Sequence, residues 1–247
     1  MFTKNDLAEK VSDLDVVNFL LSEPLDKENP VDFYADDLTM HGEMMVVTIR
    51  IPVDYKSALD TIWEILKENS EYWAGVTVML RRIAKHGGMM LTKNKVLQEY
   101  KKLHELKVRL TKTYGMITSP YYDRTFMKKV AIVDNALAMY NSRLLALFGR
   151  SLEKVNFRAY PRWHAVTSMY ANCMNVSTYA MYKVAFGLSL STAFQVDPDA
   201  DVINNVLLEN LEAYKGSFYR YLGEYVEDYK AMRKGSGGTT VRGENLG

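Results

Sequence analysis

Cysteine is almost missing. A single residue, Cys173, in a chain of 247 excludes an internal disulfide and a zinc site built from thiolates alone. Its place in an apolar run reads as a small buried residue. Six prolines leave room for long uninterrupted elements and favour helices. The four histidines, His41, His86, His104 and His164, are scattered, with no pair at metal-ligand spacing. Both glycine-rich phosphate-binding patterns are lacking, as is the paired-histidine zinc helix. Asp197, Asp199 and Asp201 open like a calcium loop, but Val202 stands where glycine is required and Leu208 where glutamate is required, so helix capping explains them better. No catalytic residue, metal site or cofactor is expected, and the chain does not read as an enzyme.

Long apolar runs are also lacking. The least polar stretch, 165–182, carries no charge but is interrupted by Thr167, Ser168, Asn172, Asn175, Ser177 and Thr178, which predicts a buried helix pair and not a membrane span. The N-terminal segment, Met1 to Asp6, lacks the apolar core of a secretory signal, so Asn175-Val176-Ser177 is expected to have no secretory context as a glycosylation acceptor. The expected location is the cytoplasm or a virion.

What is present is uneven charge. The net charge is only +1, yet residues 1–80 hold 6 Lys and Arg against 16 Asp and Glu, and residues 81–195 hold 19 against 5. Residues 196–230 turn acidic again. Such a block structure points to an anionic partner for the middle.

Hydrophobic spacing predicts a mainly α fold: a multi-helix body with at most one or two short strands. Residues 1–42 read as an acidic N-terminal arm, 43–196 as the body, 197–233 as a long C-terminal helix and 234–247 as a flexible, glycine-rich tail. Val46–Ile51 alternates as a strand. Helices are expected behind Asp54, from Trp73 to a stop at Gly87-Gly88, from Thr92 to Gly115, and from Ser119-Pro120 to about Phe148. Residues 150–164 read as irregular, with Pro161 a breaker. Helical segments follow at 163–174 and 177–191, joined near Asn175. The last helix, starting at Asp197-Pro198, carries Leu207, Leu211, Tyr214, Phe218, Tyr221, Tyr225 and Tyr229 on one stripe. At roughly 1.5 Å per residue it would be about 54 Å long, more than a compact chain of this size spans, so it bends near Gly216 or Gly223 or projects. The stripe fits a core face, or a subunit contact, where tyrosine is favoured.

Arg81, Arg82, Lys85, Lys93, Lys95, Lys101, Lys102, Lys107, Arg109, Lys112, Arg124, Lys128 and Lys129 fall within about fifty residues that hold only three acids, Glu99, Glu105 and Asp123. A solvated helix face normally mixes signs; this one does not. Lys154, Arg158, Tyr160, Arg162, Trp163 and His164 form a second cluster, with Tyr121, Tyr122 and Arg124 at a helix start. Arginine offers forked donors to phosphate, and aromatic rings stack on unpaired bases.

The expected function is coating of single-stranded nucleic acid, RNA in first place, in a basic groove, with self-association through the termini. Lys154, Arg158 and Arg162 would hold phosphates, Tyr160 and Trp163 would stack, Tyr122, Arg124, Arg81 and Arg82 would flank them, and Lys101, Lys102 and Arg109 would add long-range attraction. In general plan this is similar to helical viral nucleocapsid and coat proteins, though no family motif is present. Two other readings stand beside it: a helical scaffold whose acidic and basic blocks neutralise each other, and an enzyme whose site is assembled from distant residues.

Overall fold

The computed structural model describes residues 45–69, 76–149, 151–194 and 200–236. The acidic arm, Trp73, the Asp197-Pro198 start and residues 237–247 lie outside these. The described part is mainly α, and one apolar core runs through it from Val47 to Leu222.

Strand β1 (Met45–Pro52) buries Val47, Ile49 and Ile51 and turns Val46, Thr48 and Arg50 outward, as its alternation requires. It pairs antiparallel with β2 (Leu152–Ala159), Met45 opposite Ala159 and Pro52 opposite Leu152. This corrects the irregular reading of 150–164. Val155, Phe157 and Ala159 point into the core, but the charged and amide residues between them dilute the apolar signal. Pro161 breaks nothing. It opens α5 (Pro161–Met174), where a missing N–H is no loss.

Helix α1 (Val53–Asn69) follows β1 directly, its Val53 N–H donating to Ser151 O at 3.0 Å. Helix α2 (Val76–Lys93) continues through Gly87-Gly88, where a stop was expected. The glycines serve packing there. A methyl on Gly87 would come 2.5 Å from Ala185 O, and one on Gly88 2.8 Å from the Trp163 ring.

Helix α3 (Lys95–Tyr114) starts at Asn94 and not at Thr92. Asn94 Oδ1 accepts from the N–H groups of Val96 and Leu97, whereas the Thr92 hydroxyl donates back to Met89 O. Helix α4 (Arg124–Leu147) is capped by Asp123, later than Ser119-Pro120 predicts. Ser119 Oγ donates to Thr113 O and so belongs to the preceding turn. The inner face of α4 is as expected, with Phe126, Val130, Val133, Leu137 and Leu144 buried.

Helix α5 ends at Asn175, whose left-handed φ of 54° closes the helix before α6 (Thr178–Phe194). From Val184 to Ser191 every side chain of α6 is buried, because α2, α5, α7 (Ala200–Phe218) and β1 all pack on it. A helix apolar on all sides must be central. The chain then passes through a π turn (Tyr219–Gly223) into α8 (Glu224–Ser236). The tyrosine stripe faces the chain's own core: Tyr214 stacks on Tyr100 at 5.9 Å, and Tyr225 and Tyr229 meet Tyr114 edge-on. No described helix is long and apolar enough to cross a membrane.

Candidate nucleic-acid interface

The outer face of the two-stranded sheet is built from alternate residues of both strands. Register places Val46 opposite Arg158, Thr48 opposite Asn156, and Arg50 opposite Lys154. All six are exposed. Thr48 Oγ1 donates to Asn156 Oδ1 at 2.8 Å, which fixes the middle pair. Two cations directly opposite on one face repel each other, a destabilising arrangement in a free sheet. Among the described residues, Arg50, Lys154 and Arg158 make no ion pair.

Where β2 ends, the chain turns at Tyr160 into α5, and α2 packs against both. Tyr160 is only 5% exposed. The Arg81 guanidinium lies 5.1 Å from its ring centroid and the Lys85 ammonium 5.9 Å. The ring therefore carries cations and has no open face for a base. Trp163, one helical turn on, is half-buried with its ring against Gly88, and Arg162 lies 5.4 Å from it. Its uncovered surface is the aromatic one at this corner. Arg82 is 6% exposed and sits beneath the surface. His164 Nδ1 meets the Tyr182 hydroxyl at 3.0 Å, and burial lowers its pKa, so it belongs to the packing.

The twelve residues singled out from sequence thus divide over three places. Lys154, Arg158, Arg162, Trp163 and Arg81 gather around β2 and the start of α5, over Tyr160 and Arg82. Lys101, Lys102 and Arg109 lie along α3, where carboxylates meet part of the charge: Lys101 pairs with Glu105 at 3.9 Å, Lys102 with Glu99, and the neighbouring Lys107 with Asp134. Arg109 is exposed and unpaired among the described residues. Tyr122 and Arg124 lie at the α3–α4 turn, at the end of α3 away from α2. Sequence reasoning missed Arg50, which sits in an acidic block more than a hundred residues from Lys154. The alternation of β1 put it on the outer face, but only the pairing shows what stands opposite.

Among the described residues no group of three His, Cys, Asp or Glu could hold a metal. The Cys173 thiol is buried, and that burial pushes its pKa up to about 11. His86 Nδ1 meets Ser189 Oγ at 2.9 Å, but Ser189 is wholly buried. A cavity of about 350 Å³ lies at the start of α3, lined by Met90, Lys93, Asn94, Lys95, Leu188 and Asn204 and, among the described residues, without a carboxylate. No protein-family model, curated protein or solved structure matches the chain.

Proposed function

We propose that the chain binds single-stranded nucleic acid, RNA in first place, across the outer face of β1–β2 and the adjoining corner of α2 and α5, and that it associates with itself through its termini. The observation that carries this reading is the cross-strand pair of Arg50 and Lys154 beside Arg158, all exposed and without carboxylate partners among the described residues. A polyanion removes the repulsion that the bare sheet carries. Arg162 and Arg81 extend the positive surface, Thr48 and Asn156 add neutral hydrogen-bonding groups, and Trp163 offers a ring edge for a base.

The test is binding of a labelled uridine oligonucleotide over a salt series. Affinity should fall steeply with salt, and Arg158→Ala or Lys154→Ala should each flatten the log–log slope by about 0.7, as for one single-strand phosphate contact. Unchanged affinity and slope in both variants would remove this surface from the proposal.

The scaffold reading has one observation in its favour, the pairing of Lys101, Lys102 and Lys107 with carboxylates of the same chain. The ratio of absorbance at 260 to 280 nm, before and after a high-salt wash, separates the two. Nucleic acid released by salt supports coating. Large particles of clean protein support the scaffold.

A further inference from the structure

Large apolar side chains crowd onto the short α3–α4 connection. Met116 is 46% exposed, Ile117 84%, Tyr121 43% and Tyr122 39%. This segment is not loose. Ser119 N–H donates to Met116 O at 2.8 Å, Tyr122 N–H to Ser119 O at 3.2 Å, Ser119 Oγ to Thr113 O at 3.0 Å, and Asp123 N–H to Tyr114 O at 2.6 Å. A backbone pinned at four points presents its side chains already ordered, which lowers the entropy lost on docking.

Three exposed cations stand at this tip. Lys112, Arg124 and Lys128 are exposed and have no ion pair among the described residues. The adjacent acid, Asp123, is consumed internally: it caps α4 and accepts from the Tyr225 hydroxyl. An apolar tip with a cationic rim fits a partner that is apolar and acidic together.

The chain contains such a segment. Residues 1–44 hold 11 Asp and Glu against 3 Lys and Arg, the most acidic part of the sequence. Within it, Asp13-Leu14-Asp15-Val16-Val17-Asn18-Phe19-Leu20-Leu21-Ser22-Glu23 places Val16, Val17, Leu20 and Leu21 at helical spacing between acids at both ends. From Glu23 to the start of β1 the chain can extend about 70 Å, at roughly 3.3 Å per residue, enough to reach this tip on its own or a neighbouring copy.

We infer that the Met116–Tyr122 turn is the docking site for residues 13–23 of this chain, with Val16, Val17, Leu20 and Leu21 against Ile117 and its apolar neighbours and Asp13, Asp15 and Glu23 against Lys112, Arg124 and Lys128. This deepens the self-association half of the proposed function and does not depend on the nucleic-acid half.

The experiment is photo-crosslinking of the full-length, nuclease-treated protein with benzoylphenylalanine in place of Ile117, followed by mass spectrometry on a mixture of isotope-labelled and unlabelled chains. Crosslinks into residues 13–23 are expected. Mixed-isotope products also support association through the arm; single-isotope products support the docking and overturn arm-mediated association. Crosslinks that avoid 13–23, or none, overturn the docking, as does capture of Ile117 by anionic phosphatidylserine vesicles in place of the arm. Reversing Asp13, Asp15 and Glu23 to lysine should lower the yield about tenfold, because each exposed pair contributes little by itself. Reversing Lys112, Arg124 and Lys128 to glutamate in the same chain should restore it. No restoration sinks the charge pairing. Nucleic-acid binding by the unreversed protein is read separately, so neither failure is mistaken for the other.

Discussion

Gly87 and Gly216 sit in helix interiors for opposite reasons. A Cβ at Gly87 would press into the α6 backbone, 2.5 Å from Ala185 O, whereas one at Gly216 meets nothing within 4 Å. Gly87→Ala is expected to destabilise the fold by about 1–3 kcal/mol through overpacking. Gly216→Ala is expected to stabilise it by about 0.5–1 kcal/mol, because alanine loses less backbone freedom in a helix. Urea unfolding of the two variants measures both, and equal effects would contradict the packing described. Asp123 adds a pH dependence. The hydroxyl of Tyr225, and then the N–H groups of Phe126 and Thr125, hold its pKa below the usual 3.8. A carboxylate with a depressed folded value contributes stability above its unfolded value and loses it as pH falls through the folded one. Asp123→Asn keeps a cap but no charge, so its unfolding midpoint should vary less with pH below about pH 4 than that of the unaltered protein.

At the scale of elements, β1 and β2 carry the clearest test. Lys154→Glu turns the like-charge pair with Arg50 into an opposite-charge pair, which should add about 0.2–1 kcal/mol of stability. The same change should weaken oligonucleotide binding and reduce its salt dependence. A variant more stable and less able to bind identifies a surface kept at the expense of the fold. One that loses both properties has merely been damaged. These elements also show where sequence reading reaches and where it stops. The inner face of α4 and a joint near Asn175 follow from local spacing and local chemistry, so they were legible. Strand β2 was not, because its outward Lys154, Asn156 and Arg158 mask a weak alternation that only pairing with β1 completes. The glycines of α2 misled for the same reason: their close neighbours, Ala185 and Trp163, are distant in sequence. The basic cluster at 154–163 was legible as composition. Its exposed cations, its buried Tyr160 and its partner Arg50 required the fold.

For the molecule as a whole, Cys173 is a built-in reporter. Its thiol is buried and held protonated by that burial, with a pKa of about 11. Labelling by a thiol reagent at pH 8 should be slow in the native protein and rise to a free-cysteine rate across the urea transition, in step with the loss of helical circular dichroism. Fast labelling without denaturant would mean that α5 opens independently of the rest.

The contact between Thr48 and Asn156 joins residues 108 apart in sequence. During synthesis, therefore, the first strand leaves the ribosome about 5–20 s before its mate exists, at roughly 5–20 residues per second. Until then Val47, Ile49 and Ile51 have no sheet to lie in, and the nascent chain carries a sticky ribbon that invites wrong neighbours. Fragments cut short before residue 150 should thus collect in inclusion bodies, while chains released beyond residue 236 should not.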